Sequence, residues 1–311
     1  MAHILVTGAS GFVGAAVVGA LAERGDRVTA FDMGLSPALR KIIEQYDNVR
    51  PALGEITACP TVMALFHDDA PDCIFHAAAI VGVIASVRTP MRTFEVNIGG
   101  TINLLEAMRL YGTRRMVHMS SEETYGAFQT AVIDEDHPQN PLHPYGISKL
   151  SVEHLGRGYK EQYGLEVIHL RAIWVYGPDL PRERVPNSFI NAAMAGRPFH
   201  QPFGADFVCD HTYIDDMVDL ALLAIDKDEH PCDAYNVGTG RGVSLREIAD
   251  IATELVPGAQ LSVGNELYRH GDANLNVACV QKGALDISRA REVLGYDPKF
   301  DIRKGLAAFL P

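Results

Sequence analysis

The chain has 311 residues, 47% hydrophobic and 21% charged, with a formal net charge of −12. That length and apolar content allow one large soluble domain or two ordinary ones. The acidic balance argues against nucleic acid or an anionic membrane as partner. No apolar run reaches the roughly 18–20 residues that span a bilayer, and the N-terminus "MAHILVTGAS" lacks the basic region of a secretory leader.

In chain order, "HILVT" (3–7) reads as a buried strand. A helix from Phe12 to Arg24 follows, then a strand at 27–31. "CIFHA" (73–77), "RMVHM" (115–119) and "EVIHLRA" (166–172) are further continuous apolar strands, with helices predicted over 60–69, 90–110 and 145–163. Strands apolar on both faces and separated by helices predict a doubly wound parallel α/β sheet covered on both sides. Beyond residue 177 the alternation stops, and "YGPDLPRERVP" and "GRPFHQPFGAD" are rich in Pro and Gly. Residues 1–177 are expected to form a dinucleotide-binding domain. Residues 178–311 are expected to form a smaller mixed α/β substrate-binding cap, with 207–236 returning to the first domain. The five cysteines show no CxxC spacing and the twelve histidines no HExxH. Reduced thiols, a cytoplasmic location and no metal site are therefore expected.

Gly8, Gly11 and Gly14 stand in "TGASGFVG", between the first strand and the first helix. Amides at a helix N-terminus attract a pyrophosphate, and glycine permits close approach. Asp32 ends the second strand, where a carboxylate accepts from ribose hydroxyls and repels a 2′-phosphate. Met33 and Gly34 follow it rather than arginine, so NAD is favoured over NADP. Glu55, in "LGEIT", can reach an adenine edge or simply face solvent.

Tyr145 and Lys149 are four apart on a predicted helix and share a face. A phenol with an ordinary pKa of about 10 is a poor base at neutral pH; a neighbouring ammonium stabilises the phenolate. Ser121, at the end of the strand "RMVHMS", lies where a hydroxyl donor to a substrate oxygen is needed.

Taken in order, TGxxGxxG, Asp32, "HAAA" (76–79), "VNIGGTINLLEA" (96–107), "SSEETYG" (120–126), "YGISK" (145–149), "LRAIWVYGP" (170–178), "YNVGTG" (235–240) and "DISRAREVLGY" (286–296) resemble the extended short-chain dehydrogenase/reductase family, in its NAD-dependent sugar epimerase/dehydratase branch. The resemblance implies a Rossmann-type first domain, with Tyr145 as base and Lys149 as its partner on the nicotinamide ribose. It implies Ser121 beside the reacting hydroxyl and Asn97 near the lysine. Ile56, Ala77 and Ala78 are then expected against the cofactor, and the helices at 90–110 and 145–163 at a homodimer interface. Two departures concern the substrate. Trp174 stands where relatives often carry asparagine, and Cys209 where they often carry arginine, both facing a nucleotide diphosphate; Arg269 matches a further arginine and remains. Glu122 and Glu123 replace residues that are neutral in many simple epimerases, so Glu122 is expected near the substrate and Glu123 as a candidate base at a carbon next to a transient ketone. The expected activity is oxidation of a secondary alcohol of a sugar-type substrate, with hydride return. A net dehydrogenase of a free polyol or sugar acid is an alternative. So, in another class, is a non-catalytic NAD-binding regulatory protein.

Overall fold

In the computed structural model, residues 1–67, 69–270, 277 and 279–311 are described. Seven parallel strands form the central sheet in the order Ala234–Val237, Glu166–Ala172, Arg115–Ser121, Cys73–His76, His3–Thr7, Arg27–Asp32, Val49–Leu53. Strand order reverses on the two sides of His3–Thr7. Such switch points open a crevice at the carboxyl ends of the strands.

Why the strands read as continuous apolar runs is visible in the core. Ile4, Val6, Phe75, Val117 and Ile168 pack on one face, against Val17, Val18 and Leu21 of the helix Phe12–Glu23 and Met217, Leu220 and Ala221 of Ile214–Asp226. Their alternate neighbours Leu5, Ile74, Met116 and Val167 pack on the other, against Val62 and Phe66 of Cys59–His67 and Leu104, Leu105 and Met108 of Gly100–Tyr111. Period-two alternation thus delivers apolar side chains to both covered faces.

The predicted helix over 90–110 is not continuous. It runs as Pro90–Phe94, a π-helical turn Glu95–Gly99, and Gly100–Tyr111. Such a turn inserts one residue into the helix and re-aims a side chain, here Asn97. The helix Pro144–Tyr163 begins with proline in its first turn and ends at Gly164 in the left-handed region. Its buried residues are Tyr145, Gly146, Ser148, Lys149, Val152, Glu153 and Gly156. Three of these seven bear titratable side chains, so this helix docks on the sheet through chemistry as well as packing.

Of residues 207–236, the helix Ile214–Asp226 lies beside Phe12–Glu23, and Ala234–Val237 forms the sheet edge. Val208–Cys209 instead pairs antiparallel with Val243–Ser244, away from the sheet. Asp210 then accepts from the amides of Thr239 and Gly240 and the hydroxyl of Thr239, tying these segments together at the turn "VGTG". Among the described residues no helix is long and apolar enough to cross a membrane.

Candidate active site

A cavity of about 1010 Å³ opens at the carboxyl ends of the central strands. At one end lie Gly8, Gly11 and Gly14. Gly8 has φ +72°, and a β-carbon there would come within 2.6 Å of the Ala78 nitrogen, so the loop presses directly on the backbone after Cys73–His76. The helix Phe12–Glu23 starts at Gly11 with no side-chain cap and no acid in its first turn. Its first amide groups therefore have no intrahelical partner and open on the cavity, which suits an anion. Asp32 lines the same end; its carboxylate accepts from the amides of Ser10 (2.9 Å) and Met33 (2.7 Å), which hold it in place. Ile56, Ala77 and Ala78 line the wall. Glu55 lies on the rim, paired with Arg92 at 3.2 Å. Glycine loop, uncapped helix start and fixed carboxylate fit a dinucleotide without a 2′-phosphate. NAD is expected to bind at least about tenfold tighter than NADP, or about 1.4 kcal/mol. Calorimetric titration should show the preference, and Asp32→Ser should erase most of it.

Ser121, Glu122, Glu123, Tyr145 and Lys149 line the adjoining part of the cavity. Ser121 ends its strand and caps a short 3₁₀ turn, Glu122–Thr124, accepting from the Glu123 amide at 3.2 Å. All these residues are buried, so "SSEETYG" is no surface turn: its first four residues line the cavity, and Tyr125 packs in the core behind it. Gly146 brings the helix Pro144–Tyr163 onto this floor: a β-carbon there would lie 2.4 Å from the Glu123 carbonyl oxygen. Glycine beside Tyr145 thus lets the phenol approach Ser121. Burial raises the Tyr145 phenol well above its usual range, and the Glu122 carboxylate adds to this, while hydrogen bonding to Ser121 and the charge of Arg182 oppose it. Lys149 is 3% exposed, and burial lowers its ammonium to about 7. Its Nζ donates to the Met119 carbonyl oxygen (2.6 Å) and sits 6.0 Å from the Tyr145 ring centroid.

Three of the expected site residues are engaged within the chain. The Ser121 hydroxyl donates to Glu122 at 2.6 Å rather than standing free. Asn97 makes no direct bond to Lys149 among the described residues; it accepts from the Ile80 amide (2.8 Å) and donates to Ser148 (2.9 Å), the lysine's neighbour, bridging the loop after Cys73–His76 to the helix of Tyr145. Glu123 forms a buried ion pair with Lys282 at 3.4 Å. Burial would raise this carboxyl, but Lys282 and His270 hold it below its ordinary value. A charged, paired carboxylate is a weak base. Glu122, which accepts from Ser121 and has no ion pair among the described residues, is raised by burial.

At the far end Trp174 is buried, with φ +29°, a costly conformation for a bulky residue. Its ring packs against Phe207, His211 and Tyr268, and the Arg184 guanidinium lies 4.1 Å above it. Cys209 is fully buried in the same cluster. Arg182 and the exposed Arg269 also line the cavity. Arg182, Arg184 and Lys282 carried no sequence signal beyond two arginines in a Pro-rich loop.

Behind the site lies a further network with no motif. Arg171 donates to both oxygens of Glu153 (3.1 and 2.7 Å), to the Tyr125 hydroxyl (2.9 Å) and to the Glu135 carbonyl oxygen (2.9 Å). Ser120 and Gln139 also donate to Glu153. Among the described residues no group of three or more His, Cys, Asp and Glu is placed to hold a metal ion.

With this geometry in hand, a profile of the NAD dependent epimerase/dehydratase family matches residues 4–238. A UDP-glucose 4-epimerase of Mycolicibacterium smegmatis is 33% identical over 97% of this chain and 96% of its own, and one of Lacticaseibacillus casei is 30% identical over 96% and 92%. The solved UDP-glucose 4-epimerase of Thermotoga maritima with UDP-glucose superposes with a TM-score of 0.88 at 32% identity, over 98% of this chain and 96% of that one. The Thermus thermophilus UDP-glucose 4-epimerase complex with NAD does so at 0.84 and 30%, over 99% and 98%. This chain belongs to the NAD dependent epimerase/dehydratase family, as an NAD-dependent enzyme that oxidises a secondary alcohol of its substrate to a transient ketone and returns the hydride.

Proposed function

We propose that the enzyme is a 4-epimerase of a UDP-sugar. The observation that carries this is one continuous cavity in which the phosphate loop, the Ser121/Tyr145/Lys149 set and an arginine-bearing far end meet. At about 1010 Å³ it is as large as the largest ordinary ligand pockets, in keeping with two nucleotide ligands end to end. The relatives named above act on UDP-glucose, and an NAD complex with UDP-glucuronic acid is known for MoeE5 (TM-score 0.85, 28% identity).

NAD, which Gly8, Gly11, Gly14 and Asp32 would hold, would supply a reversible hydride acceptor for the reacting carbon and a positive charge in its oxidised form. The protein's part is to move the hydroxyl proton and hold the sugar. Tyr145 takes that proton as phenolate, with Lys149 supplying the nearby positive charge. Glu122 holds the Ser121 hydroxyl, and rotation of that hydroxyl away from Glu122 would let Ser121 donate to the substrate oxygen. Glu123, paired with Lys282, serves as a fixed polar wall.

Trp174 and Cys209 offer neither a carboxamide nor a positive charge, and Arg184 and Arg269 take the diphosphate instead. Isothermal titration of the NAD-loaded protein is expected to show UDP-glucose or UDP-glucuronate binding at least about 100-fold more tightly than the free sugars, a gap of about 2.7 kcal/mol. Equal affinities would point to a free polyol or sugar acid. A homodimer is proposed through the helices carrying Met91, Leu110, Ile147 and Tyr163, which are large and exposed. Sedimentation should give twice the mass of one chain, and a monomer at micromolar concentration would exclude it.

A further inference from the structure

Away from the cavity, Lys149 meets a buried stack of histidines. His76, His118 and His169 come from neighbouring strands, are each at most 1% exposed, and have ring centroids 5.5 and 5.4 Å apart. Burial holds all three neutral.

His76 is locked. The Thr101 hydroxyl donates to the Asn97 carbonyl oxygen (2.6 Å), so it accepts from His76 Nε2 (2.8 Å); His76 Nδ1 then accepts from Thr7 (2.7 Å). His118 is placed differently. Its Nε2 faces Lys149 Nζ at 3.3 Å, and its Nδ1 faces Nδ1 of His169 at 3.1 Å. Among the described residues His169 Nε2 has no hydrogen-bond partner. Two facing nitrogens can bond only if one carries a proton and the other does not. An ammonium at position 149 is always a donor. It therefore fixes the chain in one sense: His118 accepts at Nε2, donates from Nδ1 to His169 Nδ1, and His169 keeps its proton on Nε2.

An ammonium has three N–H groups. Met119 and His118 take two, leaving one for the cavity that Lys149 lines. We propose that His118, backed by His169, is a positioning residue that sustains the charge of Lys149 and aims its remaining N–H into the active site. This rests on the role given to Lys149 above. The other titratable groups facing this cluster are His76 from its strand, Arg171 from Glu166–Ala172, Tyr145, Glu153 and Arg157 from the helix, and Asp233 ahead of Ala234–Val237. Of these, Glu153 supports the ammonium and does so in every variant below.

Two measurements test the proposal. Long-range ¹⁵N–¹H spectra of the histidine-labelled, NAD-free protein at pH 6 should show His118 protonated on Nδ1 and His169 on Nε2; the reverse tautomers would overturn it. In the NAD-loaded enzyme, His118→Phe removes the acceptor. The alkaline limb of kcat/KM should move to lower pH by about one unit, a tenfold fall in the ammonium fraction on that side. His118→Gln, which restores an acceptor, should recover most of the shift. A folded His118→Phe protein with the native limb would overturn the proposal, and should that variant fail to fold, the tautomer spectra decide. Failure of the catalytic reading itself is told apart by Tyr145→Phe: native turnover there removes that reading, whereas the spectra are independent of it.

Discussion

Tyr145→Phe is expected to lower turnover by about 10²-fold or more, the scale of a general base, while NAD affinity stays within about twofold, well under 1.4 kcal/mol. The phenol is buried and faces Ser121, and two carboxylates act on it. Burial and those carboxylates oppose its ionisation and Ser121 and the charge of Arg182 favour it; in the proposed mechanism Lys149 and the positive ring of the oxidised cofactor would supply the rest. Phenylalanine keeps the ring that packs at the helix start and removes only the oxygen. Loss of turnover with retained cofactor binding, read by rapid-quench and calorimetry, therefore isolates the proton transfer. A variant with near-native turnover would show that another group takes the proton.

Arg171→Met is expected to destabilise the fold by about 3–5 kcal/mol, because it takes the buried cation from a buried carboxylate and leaves it, among the described residues, only the partly exposed Arg157 at 3.3 Å as an ion-pair partner. Arg171 and Glu153 are 2% and 0% exposed in their side chains, at 2.7 Å. Removing both, in Arg171→Met/Glu153→Leu, should recover much of the loss. Urea unfolding of the three proteins measures this, and a single variant within about 1 kcal/mol of native would contradict it. The pair also sets an acid limit. Although burial opposes ionisation of Glu153, its hydrogen bonds and Arg171 hold the carboxyl at about 2 against an ordinary 4.5. The folded pKa is depressed, so this contribution is complete above pH 4.5 and is lost as pH falls toward 2.

What was legible in the sequence is what local spacing carries. Gly8, Gly11 and Gly14 between a strand and a helix, Asp32 at the next strand end, and Tyr145 four before Lys149 are each short-range patterns, and the fold brings all of them to one cavity. The sheet was legible because its strands are apolar on both faces. Long-range pairs were not. Glu153 reads as a solvated helix residue until Arg171, in a strand that otherwise looks apolar, is known to lie beneath it. Lys282 is far in sequence from Glu123, and its ion pair turns a candidate base into a fixed anion. Asn97 lies in a π turn and bonds Ile80 and Ser148, contacts that no local spacing announces. Similarly, nothing local connects His118 to His169; they meet because their strands are neighbours in the sheet.

The central claim is that hydride leaves and returns within one turnover. The most direct test is to incubate the NAD-loaded enzyme with UDP-glucose carrying deuterium at C4, follow reduced cofactor by absorbance, and locate the label by mass spectrometry and NMR. The account predicts UDP-galactose with deuterium retained at C4 and no lasting reduced cofactor. Accumulation of one reduced cofactor per substrate, with an oxidised sugar as the final product, would contradict it and identify a net dehydrogenase.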